Sequence, residues 1–543
     1  MNDMVSDDNL LVAFKDVIAR YPDSPAFTFL DEDLNARVYS YRHLWDASAE
    51  ISGRLIKLGL KEKTPLGILL QSQENQVIHY LAALSAGLVP AILTPPNRKL
   101  RRDIFEETIK CLVDNCRFSA IITDTDALGV DATLLEPVTL KVLQHSRHQG
   151  DQVVDTAILQ FTSGTTGVKR GVQISHQAML ASLNVYAISL GLDRSDVILS
   201  WLPLYHDMGF IACLNMPLAF GVHCVMINPL DWVANPGLFL QSASRYRATL
   251  SWNPNFAYAF MSERVRPEQL EELDLSSFRG LVNCAEPVTV ESQSRFKSRF
   301  EPFGLKPDVF RGCYAMAETT YALTDGCEND PGYFDFKGPL KSDLVVKLPQ
   351  ISVGRALPGV ELAIVDENSR PLEDGCIGEL WVRSGLLFSG YYNNVEATAA
   401  AMHLGWYKTG DIGYRNGEEY YVCSRKKDLL ILNGVNVFPQ DVEELVSAVD
   451  GVIAGRVAAF SQFSEQYQSE MLIVLAESGV DVSERSTVII AIRQAVLAML
   501  QVANFQVHLL PPMWLVKSSS GKIARQSNKN RWLTEQAEKT VMQ

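Results

Sequence analysis

The sequence predicts an α/β protein with a large N-terminal domain built on parallel sheets and a small C-terminal α+β domain. The chain has 543 residues, its short apolar runs alternate with helix-like stretches, and a charged segment separates its last part from the rest. Because a single hydrophobic core rarely extends beyond about 250 residues, a chain of this length is expected to form at least two domains.

Four apolar runs predict strands of the large domain. These runs are 66–70, 119–123, 156–161 and 223–228. Continuous apolar runs are typical of strands that helices cover on both faces, and their alternation with helical stretches is the pattern of parallel α/β structure. We therefore expect a parallel sheet between layers of helices.

The charged segment SRKKDLL, at residues 424–430, marks the expected domain boundary. The residues after it carry their own βαβ-like pattern and suffice for one small domain. We therefore predict an N-terminal domain over residues 1–425 and a C-terminal domain over residues 426–543.

Composition and charge exclude several classes of protein. With 47% hydrophobic and 21% charged residues, the chain is typical of a globular protein. Its formal net charge of -14 argues against a broad basic surface for nucleic acid or anionic lipid. The apolar window 211–230 contains Asn, Pro, Gly and His residues, which favours buried core over a membrane span.

The start of the chain and its cysteines predict a cytoplasmic location. The first residues, MNDMVSDDN, are acidic and polar and differ from a secretory signal. The nine cysteines include no CxxC pair, so their spacing suggests neither a disulfide framework nor a zinc site. We expect reduced, mostly buried thiols.

A Gly/Ser/Thr-rich loop after an apolar strand is the strongest local signal for phosphate binding. The loop contains Thr162, Ser163, Gly164, Thr165, Thr166, Gly167 and Lys169. Hydroxyls, exposed backbone amides and a cation all favour phosphate oxygens. Lys169 follows the last glycine by only two positions and no Ser or Thr comes next, so the spacing differs from the P-loop of kinases and GTPases. Taken alone, the loop is also compatible with an ordinary surface turn.

The loop resembles the phosphate-binding loop of the adenylate-forming superfamily, which includes acyl-CoA synthetases, firefly luciferase, peptide-synthetase adenylation domains and fatty acyl-AMP ligases. Six further strings in the family's order extend the resemblance: SWLPLYHDMGF (200–210), VNCAEPV (282–288), YAMAETT (314–320), YKTGD (407–411), SRKKDLLILNGVNVFPQDVEE (424–444) and KSSSGKIAR (517–525). The resemblance implies that ATP and a carboxylic acid form an acyl adenylate with release of pyrophosphate, after which a thiol accepts the acyl group.

Three catalytic residues follow from the resemblance. Lys522 would bridge the substrate carboxylate and the α-phosphate, and His206 would gate the acyl tunnel. Glu318 would hold Mg²⁺, while Thr319 would touch the phosphates. The chemistry requires such groups, because two anions must approach while charge builds on phosphorus. The alternatives are that Lys522 is a solvated surface lysine and that His206 is a buried histidine without a role. For Glu318 and Thr319, the alternative is an ordinary pair at the start of a helix.

The resemblance also predicts the nucleotide contacts. Tyr314 would stack on adenine, and the turn formed by Ala285, Glu286 and Pro287 would border the same base. The alternative for Tyr314 is a place in the core.

The residues predicted to bind ribose and to permit domain movement lie near the predicted domain boundary. Asp411 would accept hydrogen bonds from the ribose hydroxyls, and Arg425 would make the second ribose contact. Lys427 lies where the family places its hinge, so the small domain is expected to be mobile and to rotate between the two half-reactions. A turn-capping aspartate and ordinary linker charge are the alternatives.

Choosing the subfamily depends on finer features. The strings PLYHDMGF, VNCAEPV and NPNFAY most resemble fatty acyl-AMP ligases, which load fatty acids onto the phosphopantetheine arm of an acyl carrier protein. By the same resemblance, residues 251–260 would line the acyl pocket. However, in this comparison the segment 332–350 is longer than its counterpart in CoA ligases and shorter than its counterpart in typical fatty acyl-AMP ligases.

Three alternatives therefore stay open. The first is an acyl-CoA synthetase, and the second is a stand-alone amino-acid adenylation enzyme in which Asp207 would hold the α-amine. The third is a non-catalytic nucleotide-binding module. A further hypothesis gives an acidic carrier a basic docking face, made by Lys522, Arg525, Lys529 and Arg531.

Overall fold

The computed structural model describes residues 9–96, 102–124, 139–142, 155–161, 170–335, 349–432, 435–464, 469–500, 505–517 and 522–541. Residues 162–169, which carry the predicted phosphate loop, lie outside these ranges, and so do residues 336–348 of the segment that bears on the acceptor.

A nine-stranded mixed sheet forms the centre of the large domain. Six neighbouring strands run parallel, in the order Phe310–Gly312, Gly280–Asn283, Leu250–Asn253, Val197–Ser200, His223–Ile227 and Pro25–Leu30. Antiparallel edge strands flank them: Ala36–Ser40 on one side, Thr324–Cys327 and Arg355–Ala356 on the other. The parallel strands are almost fully buried, as continuous apolar runs predict for strands covered on both faces.

Smaller sheets complete the large domain. Pro65–Leu69, Val89–Ile92 and Ala120–Thr123 pair in parallel, with Thr139–Val142 antiparallel at the edge. Gly378–Ser384 pairs antiparallel with Val360–Val365 and Trp406–Asn416, and Trp406–Asn416 also pairs with Met402–His403 and Glu419–Arg425. Phe334–Asp335 and Gln350–Ile351 form a two-stranded ladder.

One predicted strand differs from the expected parallel arrangement. Thr156–Phe161 pairs antiparallel with Gly171–Ser175, which in turn pairs antiparallel with Gly390–Tyr391. Residues 162–170 join the first two strands, and so short a connection permits only antiparallel pairing, since a parallel crossover needs a dozen or more residues. The predicted phosphate loop falls within this connection and lies outside the described residues.

Helices cover the sheets and join their strands. In the large domain they are Leu10–Arg20, Tyr41–Lys57, Gln73–Ser85, Arg102–Cys116, His176–Leu190, Met216–Phe220, Pro229–Ala234, Gly237–Tyr246, Asn255–Arg264, Val290–Phe300 and Val395–Ala401. Several begin at a side chain that accepts a backbone N–H, as at Ser40, Ser72 and Ser175.

The window 211–230 lies mostly in the interior, as its composition predicts. Its first part belongs to Met208–Asn215, a π-helix in which every residue is buried. The strand His223–Ile227 follows within the central sheet. Along the described parts of the chain, no helix combines the length and apolar character that crossing a bilayer requires.

The C-terminal part has its own hydrophobic core, separate from that of the large domain. Its strands are Leu430–Leu432, Val435–Val437, Val457–Ser464, Ser469–Glu477 and Phe505–Leu510, and its helices are Pro439–Ser447, Arg485–Leu500 and Arg525–Val541. A large α/β domain with a small α+β domain is thus confirmed as the fold class. The exact limit between residues 425 and 426 stays a prediction.

Candidate active site

Asp411, Arg425 and Tyr314 meet at one end of the antiparallel sheet. Asp411 and Arg425 are cross-strand partners in the hairpin of Trp406–Asn416 and Glu419–Arg425. The Nε atom of Arg425 lies 3.1 Å from one Asp411 carboxylate oxygen, and the Tyr314 hydroxyl donates to the other at 2.6 Å. Because the nearby Asp411 raises the pKa of Arg425, the guanidinium stays charged. These three predicted nucleotide contacts form one connected unit.

Ala285, Glu286 and Pro287 form a turn directly after the strand Gly280–Asn283. Ala285 has a φ of 75°, in the left-handed region that residues other than glycine rarely adopt. A Glu286 carboxylate oxygen accepts the backbone N–H of Phe256 at 2.6 Å. Burial raises the pKa of Glu286, because a charged carboxylate loses hydration there. The turn therefore presents a desolvated acid at the carboxyl end of the central sheet.

Glu318 lies on a single 3₁₀ turn, Ala317–Thr319, and its carboxylate is held from outside that turn. The Tyr391 hydroxyl donates to a Glu318 oxygen at 2.9 Å, and the Arg170 guanidinium lies 5.1 Å from the centroid of the Tyr391 ring. Burial raises the pKa of Glu318 and, with the nearby Glu318 charge, raises the pKa of Tyr391 to about 12. Tyr391 thus fixes the orientation of the Glu318 carboxylate.

Thr319 faces inward. Its hydroxyl lies 3.0 Å from the carbonyl oxygen of Met316 and 2.9 Å from that of Tyr321. The following Thr320 has a φ of 63°, a conformation that costs about 1–3 kcal/mol and persists only where the surroundings enforce it. The turn that carries Glu318 is therefore tightly constrained, and phosphate contact by the Thr319 hydroxyl stays a prediction.

The side chains of His206 and Asp207 are in contact. The Nδ1 atom of His206 lies 2.7 Å from an Asp207 oxygen, which also accepts the Met208 N–H at 2.8 Å. Burial opposes ionisation of Asp207, but the charges of His206 and Lys522 and the hydrogen bonds outweigh it, so its pKa lies below its usual range. The Asp207 carboxylate is therefore ionised and already engaged by its neighbour.

Lys522 extends from the small domain into the cleft formed by these groups. Burial lowers the pKa of its ammonium, and the positive charge of Arg425 adds to this effect. The negative charges of Glu286 and Asp207 act in the opposite direction. Lys522 thus shares one electrostatic environment with residues from three separate motifs of the large domain.

Lys427 lies in the 3₁₀ turn Lys426–Asp428, directly after the hairpin that holds Arg425. A cavity of about 360 Å³ opens here, lined by Thr409, Gly410, Arg425, Lys426 and Lys427. Burial and the charge of Arg425 lower the pKa of Lys427. The predicted hinge therefore borders the predicted ribose contacts.

The basic docking face at the C-terminus stays a hypothesis, and three of its four residues have partners within the small domain. The Arg525 guanidinium binds Glu443 at 2.6 Å and Asp428 at 3.0 Å. The Lys529 ammonium donates to the Ser461 carbonyl at 2.7 Å. The last member, Arg531, donates to a backbone carbonyl and pairs with Glu535. Internal acids and carbonyls therefore engage most of this charge.

Glu318 has the chemistry expected of a magnesium ligand. Within the described ranges, no three His, Cys, Asp or Glu side chains cluster closely enough to form a complete metal cage. Mg²⁺ usually takes one or two carboxylates and completes its shell with water and substrate phosphates. A single desolvated carboxylate facing the cleft fits that pattern.

Sequence reasoning missed several residues that shape this site. Tyr391 lies on a strand paired with Gly171–Ser175 and reaches Glu318, and the Arg170 guanidinium lies near the Tyr391 ring. The Phe256 amide binds Glu286, and Lys517 lies over the Phe256 ring. No spacing rule connects a strand residue near 390 to a motif near 318. The segment 251–260 includes Phe256 and the string 517–525 includes Lys517, but neither pattern predicts these contacts.

A parallel α/β body, a lysine from a small second domain and an acid-lined cleft define the class of adenylate-forming ligases, which use ATP. The chain belongs to the family of AMP-binding enzymes, whose model matches residues 14–392.

Relatives and solved structures are similar over nearly the whole chain. The medium-chain fatty acid acyl-carrier-protein ligase JamA of Moorena producens is 28% identical, over 94% of this chain and 92% of JamA. The long-chain fatty acid AMP ligase FadD26 of Mycobacterium marinum is 26% identical, over 96% of both chains. A structure from a study of fatty acyl-adenylate ligases of E. coli and L. pneumophila has a TM-score of 0.85 and 26% identity, and covers 99% of both chains.

Proposed function

We propose that this protein activates a fatty acid as acyl-AMP and transfers the acyl group to the phosphopantetheine thiol of an acyl carrier protein. The observation that carries the proposal is the position of Lys522, a desolvated ammonium in one cleft with Glu286, Asp207 and Arg425. The similarity to JamA and FadD26 supports a fatty acid as the substrate, and the similarity to JamA, an acyl-carrier-protein ligase, supports the acceptor.

In the first half-reaction, a carboxylate oxygen of the fatty acid attacks the α-phosphorus of ATP. The bond from this phosphorus to the bridging oxygen breaks, and pyrophosphate leaves. Lys522 lies between the two anions, so its charge lowers their repulsion and stabilises the charge that develops on the phosphoryl oxygens. The protein supplies position and charge and needs no nucleophile of its own.

The nucleotide is held by groups that are already ordered. Asp411 accepts from the ribose hydroxyls and Arg425 supports it, while Tyr314 and the turn at 285–287 border adenine. The loop residues Thr162, Ser163, Gly164, Thr165, Thr166 and Lys169, which lie outside the described ranges, would bind the phosphates. Glu318 would hold Mg²⁺, which when bound would neutralise charge on the phosphate oxygens.

In the second half-reaction, the thiol attacks the acyl carbonyl carbon, and AMP leaves as the carbon–oxygen bond to phosphate breaks. Residues 426–543 rotate about Lys427, which withdraws Lys522 and opens a path for the pantetheine arm. His206 gates the acyl tunnel, held in direction by Asp207.

The amino-acid alternative has less support. The named activities of JamA and FadD26 concern fatty acids, and one Asp207 oxygen is already held by His206 and the Met208 amide. A CoA acceptor stays the second candidate, because the segment 332–350 is shorter than in typical fatty acyl-AMP ligases.

An acceptor assay tests the choice of thiol. Purified protein is incubated with ATP, Mg²⁺ and a panel of fatty acids, with CoA in one series and phosphopantetheinylated carrier protein in the other. We expect acyl carrier protein as the product and no acyl-CoA. Formation of acyl-CoA would assign the protein to the CoA ligases instead.

Replacing Tyr391 with phenylalanine should slow adenylate formation by about tenfold, because a hydrogen bond to a charged group contributes about 1.5–3 kcal/mol. The variant loses the hydroxyl that directs Glu318 but keeps the ring packing. ATP–pyrophosphate exchange at varied Mg²⁺ measures the effect.

Tyr392→Phe is the matched control, since among the described residues no contact joins Tyr392 to Glu318. It should keep the wild-type exchange rate. Equal loss in both variants would show that hydroxyl removal acts through packing and not through Glu318.

A further inference from the structure

Lys517 lies at the base of the loop that carries Lys522. It forms an isolated antiparallel bridge with Ile523, which closes the short loop between them. The bridge ties the backbone of Lys517 to the residue that follows Lys522. Any contact that fixes Lys517 therefore also restricts where the lysine loop can lie.

The side chain of Lys517 reaches the large domain. Its ammonium lies 5.5 Å from the centroid of the Phe256 ring. The backbone N–H of the same Phe256 donates to Glu286 at 2.6 Å. A cation of the small domain thus lies over an aromatic ring of the large domain, which attracts it through the ring quadrupole, and the residue that carries this ring is bound to Glu286.

The charges of Lys517 and Lys522, which lie at the base and near the end of one loop, both act on Glu286. Burial raises its pKa, and the charges of Lys522 and Lys517 both act to lower it. Without the small domain in this orientation, Glu286 would be a desolvated acid with neither cation beside it. Because these contacts exist only in this orientation, they stabilise it relative to any rotated one.

We propose that Lys517 is a positioning residue that, through Phe256 and Glu286, holds the small domain in the orientation required for adenylation. This inference rests on the proposed function, because it assigns one orientation to the first half-reaction. Release of the contact would then accompany the rotation that admits the thiol.

The test separates the two half-reactions. Lys517→Met removes the charge and keeps an unbranched apolar side chain. We expect ATP–pyrophosphate exchange to fall about tenfold, which corresponds to about 1.4 kcal/mol of lost preference for the adenylation orientation. Acyl transfer from supplied acyl adenylate to the acceptor should keep its rate or rise, since the rotated orientation becomes more populated. Lys517→Arg should restore exchange.

Lys529→Met is the matched control. The Lys529 ammonium lies 5.9 Å from the centroid of the Phe460 ring, so it makes a similar contact, but within the small domain. Its loss should leave the ratio of exchange to transfer unchanged. Exchange in Lys517→Met equal to wild type, or an equal fall in exchange and transfer, would overturn the proposal.

A measurement independent of activity distinguishes this proposal from the proposed function. In Lys517→Met, hydrogen exchange should speed up at the amides of Phe256 and Ala524, since the Phe256 N–H binds Glu286 and the Ala524 N–H donates to the Val516 carbonyl beside the Lys517 bridge. Unchanged protection at these amides would overturn the positioning role whatever the activity. A wild-type protein that exchanges pyrophosphate with no carboxylic acid would instead refute the proposed function.

Discussion

Replacing Lys522 with methionine should lower the rate of adenylate formation by about 10²–10³-fold, the range measured when one preorganised group that stabilises developing charge is removed. The ammonium lies in a desolvated cleft, where burial strengthens its interaction with anions and lowers its pKa. Methionine has similar length and no charge, so the cleft keeps its shape. ATP–pyrophosphate exchange with a fatty acid measures the loss.

The control for Lys522 is the second half-reaction. Supplied acyl adenylate should transfer its acyl group to the acceptor at nearly the wild-type rate, because Lys522 acts before the small domain rotates. If transfer fell as far as exchange, Lys522 would be needed for the fold of the small domain and not for charge stabilisation.

The pH dependence of exchange follows from the same lysine. Its pKa is lowered, so the charged form predominates below that pKa and is lost as pH rises. The alkaline limb of the exchange rate should therefore lie at lower pH than the ordinary lysine value. Glu286→Gln removes an influence that raises the pKa of Lys522, so the limb should move to still lower pH. If the alkaline limb did not move in Glu286→Gln, the group that titrates would not be Lys522.

Replacing Glu318 with glutamine should reduce exchange by about 10²-fold, because a neutral amide is a weak ligand for a hard cation whose charge lowers the barrier. Glutamine is isosteric and keeps an oxygen that can accept from Tyr391, so thermal unfolding should change little. Raising Mg²⁺ should recover part of the activity if the ion is lost.

Glu361→Gln is a control for Glu318. Glu361 pairs with Arg383 on an exposed sheet face, away from the cleft, and its loss should leave exchange unchanged. An equal loss of activity in both variants, or a Glu318→Gln enzyme with normal exchange at low Mg²⁺, would contradict the role of Glu318 as a metal ligand.

Much of the fold was predictable because its signals are local. All four apolar runs form strands, since apolar, β-rich runs specify buried strands wherever they occur. The direction of Thr156–Phe161 was not predictable from its own residues. Pairing direction depends on the length of the connection and on the neighbouring strand, and neither is written in the run itself.

In the candidate site, too, local motifs were predictable from the sequence and contacts between distant segments were not. Motif strings identified Tyr314, Asp411 and Arg425, and the structure joins them by an ion pair and a hydrogen bond. Tyr391 lies in none of the strings, and the string 517–525 contains Lys517 without predicting its contact, because each residue reaches the site through side-chain contacts between distant segments. The C-terminal docking face stays a hypothesis, since a count of basic residues does not show which acids and carbonyls already bind them.

The sequence by itself determined the fold class, the family resemblance and the residues predicted to carry the chemistry, because apolar periodicity and motif composition are properties of neighbouring residues. Only the tertiary structure decided which groups desolvate Lys522, which hydroxyl directs Glu318 and which contact joins the lysine loop to the large domain. Those properties depend on distances between residues far apart in the chain. Burial in the shared cleft sets how strongly the charged groups within it interact.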